Sequence, residues 1–337
     1  MNKTILLGHG SGGRLSHELI SKLFIKHFAN NILDEQTDAA ILNVDSNRIS
    51  FTTDSFVVDP IFFPGGDIGK LAVAGTVNDV AVSGAMPLYL STSFIIEEGF
   101  SFEALERIVK SMAEEAKKGG VKIVTGDTKV VNRGKCDKVF INTTGVGELP
   151  VKHINIGSGR NIKAGDKIII NGTLADHGMC IMAAREEISF STDIKSDCAC
   201  LNHLIKDVLE ISDQVHFMRD ATRGGLATVL CELAESKNFG IEIDEAALPV
   251  NENVRGMCEL LGFDPLYVAN EGKVVMVVGE NDADKVLKAL KNNELGRDAA
   301  IIGEVVDKHL GKAWLTTGIG GRRIIDMLAG EQLPRIC

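Results

Sequence analysis

The chain of 337 residues ends on a thiol. Cys337 closes the segment Pro334-Arg335-Ile336-Cys337, and a sulfur at a free carboxy end reads as one carried on a mobile arm rather than packed in a core. A dozen extended residues would reach roughly 40 Å, at about 3.3 Å each, so the arm could visit two different active centres. The chemistry this suggests is a chain that works on its own terminus. The plain alternative is a frayed end. Prenylation is excluded, because that signal places its cysteine four positions from the end.

A second pattern is acidic. Asp38, Asp54, Asp79, Asp127 and Asp220 fall at the carboxy ends of apolar strands or inside apolar, Gly-rich segments. Taken singly, each reads as a cap or turn residue. Asp79 differs, because its surroundings are too apolar for a solvated helix face, and a buried carboxylate must be paired, neutral or metal-bound. Several carboxylates in one cleft repel unless cations bridge them. Mg²⁺ held between aspartates and triphosphate oxygens meets that need.

Lys129 follows Asp127 by two positions and could contact phosphate, or act as a base if desolvation lowered its pKa. Arg219, Arg223 and the helix start at Gly224-Gly225 form a further anion-attracting element. Glu271, in Asn270-Glu271-Gly272, is either a turn residue or a carboxylate facing the cleft. The run Gly8-His9-Gly10-Ser11-Gly12-Gly13 formally fits the dinucleotide fingerprint, with Asp34 further on. The preceding strand is short, however, and no continuous βαβ unit ends at Asp34. A loop whose amides wrap phosphates and a merely mobile loop both remain open. His9 is the histidine in the most suggestive context, and no Ser/His/Asp or Cys/His spacing stands out.

The elements that must position these residues alternate between strand and helix in both halves, which predicts an α/β or α+β protein of two domains. Strands are expected at 4–7, 41–44, 49–53, 89–96, 122–125 and 139–146, and helices near residue 15, over 68–83 and over 102–118. A connector over 151–164 leads into a second unit, with strands at 166–171, 274–278 and 300–305 and helices near 201–209 and 225–236. From about residue 314 the chain looks poorly anchored.

Composition narrows the function. A net charge of −10 argues against nucleic acid and anionic membranes. No apolar run reaches the roughly 18 residues of a membrane span, and no signal peptide follows Met1. Seven scattered cysteines argue for a reducing cytoplasm. Cys198-Ala199-Cys200 lacks a second pair with zinc-like spacing.

Read together and in order, the Gly8–Gly13 loop, Thr53-Asp54-Ser55, Phe62-Phe63-Pro64-Gly65-Gly66, Asn78-Asp79-Val80-Ala81, Thr125-Gly126-Asp127-Thr128-Lys129, Arg219-Asp220-Ala221-Thr222-Arg223-Gly224-Gly225, Ala269-Asn270-Glu271-Gly272-Lys273 and the terminal Pro-Arg-Ile-Cys resemble one family. It is the HypE family, carbamoyl dehydratases of nickel–iron hydrogenase maturation within the aminoimidazole-ribonucleotide-synthetase-like (PurM-like) superfamily. The strand-end aspartates are superfamily-wide, whereas the terminal motif is particular to the maturation family.

The resemblance implies a two-domain PurM-like fold whose amino-terminal domains join their sheets into a barrel across a homodimer. It implies ATP and Mg²⁺ between the domains, near the dimer interface, in a cytoplasmic enzyme. It also implies a carbamoyltransferase partner, HypF, that loads Cys337, and a HypC–HypD complex whose iron receives the cyanide. On that reading Asp38, Asp54, Asp79, Asp127 and Asp220 hold metal. Nucleotide contacts come from Gly10, Ser11, Gly12, Gly13, Thr53, Asn78, Thr128, Thr222 and Arg223. Lys129 and Glu271 relay protons at Cys337. The expected division is a Gly-rich loop and helix over 1–40, an ATP-binding and dimerisation domain over 41–150, an α/β domain over 151–312 and a mobile tail over 313–337. Selenophosphate synthetases and thiamine-phosphate kinases are rivals on the same fold that would not need the terminal cysteine. A non-catalytic scaffold is the rival from another class.

Overall fold

A computed structural model describes residues 4–11, 14–35, 39–185, 193–237, 239–327, 333 and 335–337. The expected first strand is absent. Thr4 makes an isolated bridge to Ser101, and the chain then tightens into a turn at Leu7–Gly10. The reason is local: the Leu6 amide donates to His9 Nδ1 at 2.9 Å, a side-chain bond that competes with a strand ladder. Helix α1 (Arg14–Leu19) follows, continuing through a π turn at Ile20–Ile25 and a last turn at Lys26–Phe28. Residues 41–44 also form no strand. Ile41 is 84% exposed there, and no neighbouring strand pairs with the segment among the described residues.

The amino-terminal sheet comprises β1 (Ile49–Phe56), β2 (Met86–Glu97), β3 (Lys122–Val131) and β4 (Val139–Glu148), in the order β1-β4-β2-β3. Only β2 and β3 run parallel, so a crossover helix must join them, and α3 (Phe102–Gly119) does so. Helix α2 (Ile68–Val82) lies between β1 and β2 in the chain. Asp67 caps it by accepting from the Gly69 and Lys70 amides, and every residue of it except Lys70 and Asp79 is buried. Both helices cover one face of the sheet. The other face carries Phe51, Ile49 and Ile95, with Phe51 67% exposed.

The second sheet has seven strands: β5 (Lys167–Ile170), β6 (Val215–Asp220), β7 (Gly240–Asp244), β8 (Val274–Val278), β9 (Ala300–Val306), β10 (Ala313–Thr316) and β11 (Arg322–Ile325). Their order is β11-β10-β7-β9-β5-β8-β6, with β10 and β7 parallel and the other neighbours antiparallel. Residues 313–325, expected to belong to an unanchored tail, are therefore sheet strands, held because Ala313, Leu315 and Ile325 point into the core. Around the sheet lie α4 (Asp176–Ala184), α5 (Asn202–Ile211), α6 (Gly225–Lys237), α7 (Glu252–Leu261) and α8 (Ala283–Lys291). The last turn of α2 packs Ala81 and Val82 into the same apolar cluster as Leu204 and Ile205 of α5, so the two units share core. No helix of the described chain is long and apolar enough to cross a membrane.

Candidate active site

Between the two units lies a cleft of about 300 Å³, lined by Asp54, Asp79, Asp220, Glu271, Thr222, Arg223 and Cys337, among others. Each side chain arrives by a different route. Asp54 sits inside β1 rather than at its end, on the helix-covered face with Thr52. Asp79 is the one carboxylate on α2, and the Thr52 hydroxyl donates to its Oδ2 at 2.9 Å. Asp220 ends β6. Thr222 and Arg223 follow in the turn before α6, where Gly225 has φ +61° and a Cβ there would meet the Leu266 carbonyl oxygen at 2.5 Å.

The cleft is overloaded with carboxylates. Burial raises Asp54 to about 6, with the Asp79 charge adding to the shift and Arg223 opposing it. Asp79 is raised by burial, against hydrogen bonds from Thr52 and from Asp54. A proton carried on Asp54 and donated to Asp79 satisfies both directions. Asp220 rises to about 7 through burial and then the Asp79 and Asp54 charges. Glu271 is 3% exposed and is pushed well above the carboxylate range by burial and by four neighbouring carboxylates. Its Oε1 is buried without a hydrogen-bond partner. Such a wall binds protons or cations. Among the described residues no three His, Cys, Asp or Glu side chains converge to hold a metal unaided. The donor set, carboxylates beside threonine hydroxyls, fits a hard cation that brings further oxygen ligands with it.

Cys337 is in this cleft because the tail is docked, not extended. The Val57 amide donates to the Cys337 carbonyl at 3.0 Å and the Asp59 amide to the Arg335 carbonyl at 3.2 Å. The Arg335 guanidinium pairs with Asp137 and donates to the Val57 carbonyl. Leu333 and Ile336 are buried in an apolar cluster shared by the amino-terminal domain and α4 and α7 of the second unit. Burying one such side chain stabilises docking by about 2 kcal/mol before ordering costs.

The remaining candidates lie elsewhere. Lys129, Asp127 and Thr128 lie within β3, which runs on past the expected end at 125. With His9 and Gly10 they line a separate hollow of about 210 Å³. Lys129 pairs with Asp127 at 2.8 Å, which holds the Asp127 carboxyl below its usual range. Gly10 packs so closely on β3 that a Cβ would collide with the Val130 amide nitrogen. Ser11 is exposed, and its hydroxyl donates to the Gly8 carbonyl. In register Asp127 aligns with Ser93, Asn142 and Ser55, three strand spacings or about 14 Å from β1. Thr53 is on the sheet face opposite Asp54, bonded to Asn142, Thr143 and Thr144.

Asn78, expected to touch nucleotide, spends its amide on the protein. It donates to the Ala199 and Glu271 carbonyls and accepts from the Leu201 amide, stapling α2 to the loop that carries Glu271. Asp38, Gly12 and Gly13 lie outside the described residues.

The sequence reading also missed a group that organises the cleft from behind. The Asp197 carboxylate accepts from the Glu271 and Gly272 amides, both at 3.1 Å, and pairs with Lys273 at 2.8 Å. His177, fully buried, bonds the Ile336 carbonyl. An isolated histidine and an aspartate in a loop carry no spacing signal that would have found them.

Fold and site together define a two-domain protein of the AIR synthase-related class. The amino-terminal domain of that family matches residues 36–149 and its carboxy-terminal domain residues 163–315. The carbamoyl dehydratase HypE of Rhodobacter capsulatus is 49% identical over 339 aligned residues, covering 100% of this chain and 99% of its own. A crystal structure of the hydrogenase maturation protein HypE in complex with ATP superposes with a TM-score of 0.94 at 49% identity, covering 99% of this chain and 100% of its own. The chain belongs to the HypE carbamoyl dehydratase family. A further solved neighbour is a HypE–HypF complex, with a TM-score of 0.80 at 50% identity over 92% of this chain and 99% of the other.

Proposed function

We propose that the enzyme dehydrates an S-carbamoyl group on its own Cys337 to a thiocyanate, consuming ATP, and so supplies cyanide for hydrogenase iron. The observation that carries this reading is the position of Cys337 in the inter-domain cleft, beside Glu271, Asp220 and Arg223. A catalyst acting on a diffusible substrate has no need to seat its last residue there.

The loaded species is Cys337 Sγ–C(=O)–NH₂. Its amide oxygen attacks the γ-phosphorus of ATP, ADP leaves, and one nitrogen proton is lost, giving an O-phosphorylated imidate. Loss of phosphate with the second nitrogen proton gives Sγ–C≡N. The sum is carbamoyl thioester plus ATP to thiocyanate plus ADP and phosphate. Magnesium, when bound, supplies positive charge that lets the cleft carboxylates ionise. Asp54, Asp79 and Asp220 are the residues that would hold it. Ionised Glu271 accepts a nitrogen proton. Arg223 and the α6 start face the leaving phosphate. The closed cleft keeps water from the imidate, which would otherwise return to the carbamoyl state.

Lys129 and the Gly-rich loop enter through a homodimer. The open sheet face exposes Ile49, Phe51 and Ile95 around a polar patch of Thr53, Asn142 and Thr144, and a second copy laid on it would close the sheets into a barrel. The Lys129 hollow of one copy then completes the cleft of the other. HypF loads the thiol, as the HypE–HypF complex of a relative supports, and a HypC–HypD complex receives the cyanide in the cytoplasm. The test is intact mass spectrometry after incubation with ATP, Mg²⁺, carbamoyl phosphate and HypF. The expected product is a cyano adduct on Cys337 that Cys337→Ala lacks, and ATP turnover with no adduct refutes the reading.

A further inference from the structure

The tail is gripped one residue before its sulfur. His177 Nε2 lies 2.8 Å from the Ile336 carbonyl oxygen, and a carbonyl only accepts, so Nε2 carries the proton. Nδ1 lies 2.8 Å from Ser196 Oγ. Burial holds the ring below its ordinary pKa, so it is neutral and Nδ1 is an acceptor from the serine hydroxyl. The Cys198 amide donates back to Ser196 Oγ at 3.1 Å, and the Ser196 amide donates to the Pro64 carbonyl at 2.9 Å. Phe63 packs edge-on against the imidazole, with ring centres 5.6 Å apart. Each polar atom of the ring therefore has one partner and one proton assignment.

We propose that His177, oriented by Ser196, is a positioning residue that sets where the Cys337 sulfur sits relative to Glu271. The inference rests on the reading of Cys337 as carrier. The residue after Ser196 explains why the grip falls there: Asp197 holds the Glu271 and Gly272 amides. One dipeptide thus fixes the tail through an imidazole and fixes the base through its backbone. A base and a carried substrate tied to the same dipeptide keep their spacing when the domains shift. That spacing is what orientation catalysis requires. A histidine serving the core alone would satisfy its ring on its own domain. This one spans the carboxy-terminal domain, the Phe63–Pro64 turn and the tail.

The test compares His177→Met, which fills the space and leaves the Ile336 carbonyl without its donor, with His177→Gln, which restores an N–H near Nε2. In the full-length protein without nucleotide, Cys337 alkylation by iodoacetamide is followed by peptide mass spectrometry, with Cys231, buried in the core of the second sheet, as the reference that reports global opening. His177→Met should label Cys337 about tenfold faster, the population change expected from losing one net hydrogen bond, and His177→Gln should return most of the way. Cys231 should not change. In single turnovers of carbamoylated protein, His177→Met should lower the dehydration rate at saturating ATP while leaving the half-saturating ATP concentration unchanged. Ser196→Ala, a smaller change, should speed labelling severalfold and serves if His177→Met fails to fold. Wild-type labelling in Ser196→Ala or in folded His177→Met, or equal labelling in the Met and Gln variants, overturns the proposal. Alkylation needs neither ATP nor a carbamoyl donor. A wild-type protein that forms no thiocyanate would therefore sink the functional reading and leave the positioning role to be judged by labelling.

Discussion

Replacing Asp220 by Asn should make the nucleotide-free protein more stable while abolishing its chemistry. In the folded chain Asp220 titrates near 7, against 3.8 for the unperturbed group, because burial and the Asp79 and Asp54 charges oppose its ionisation. Between those two values the native state keeps a proton that the unfolded state has released. Wild-type stability therefore falls as pH rises through that window and is flat above it. A gap of about three units is worth at most about 4 kcal/mol. Asp54 and Asp79 share the repulsion and relax when one member is neutralised, so the recoverable part is about 1–2 kcal/mol. For a chain of this size that is a rise in Tm of roughly 1.5–3 °C. Scanning calorimetry of both proteins at pH 4, 6 and 8 without nucleotide should give matching Tm values at pH 4 and a gap that widens to pH 8. ATP with Mg²⁺ should then stabilise the wild type and not the variant. A variant equally destabilised at every pH would refute the reasoning, because Asp220 would then be a satisfied structural residue and not a strained charge.

The other expectations address the base, the dimer and the staple. Glu271→Gln keeps the volume of a buried side chain and should lower thiocyanate formation about 10²–10⁴-fold in single-turnover mass spectrometry, with HypF-dependent carbamoylation unchanged. Mixing inactive Glu271→Gln with inactive Lys129→Ala should restore about one quarter of wild-type activity after subunit exchange if one site draws on both copies. No recovery would return Lys129 to its own chain. Phe51→Glu, on the exposed sheet face, should yield a folded monomer by analytical ultracentrifugation with little change in far-ultraviolet circular dichroism. Asn78→Ala removes three hydrogen bonds that tie α2 to Ala199, Leu201 and Glu271 and should lower stability by about 2–4 kcal/mol in urea unfolding.

How far the sequence could be read follows from what kind of signal each residue carries. The apolar run around Asp79 was legible because a charge inside a buried helix has few uses. Of the aspartates expected at strand ends, Asp220 ends β6, whereas Asp54 lies inside β1 and Asp127 inside β3. The failures were local. Leu6 and His9 bond each other and cancel a strand that apolar content alone predicted. Residues 41–44 have strand composition but no partner strand among the described residues. Asn78 carried a motif signal, yet its amide serves the fold. The largest gap is the tail, which composition presented as an arm. The structure docks it through the backbone carbonyls of Arg335, Ile336 and Cys337, and carbonyls are invisible to any reading of side chains.

That docking constrains the reaction cycle. A thiol held between Val57 and the acidic cleft cannot at the same time lie in the active site of a carbamoyltransferase. On the proposed mechanism the grip must be strong enough to exclude water during dehydration and weak enough to release for loading. The tail's contacts are suited to this: two buried apolar side chains, one half-exposed ion pair between Arg335 and Asp137, and hydrogen bonds mostly to its backbone. Ordering the terminal residues opposes the few kcal/mol that these contacts supply, and the difference is within reach of a partner's binding energy. A tail anchored by a covalent link or a fully buried ion pair would hold the sulfur as well, and could not be reloaded.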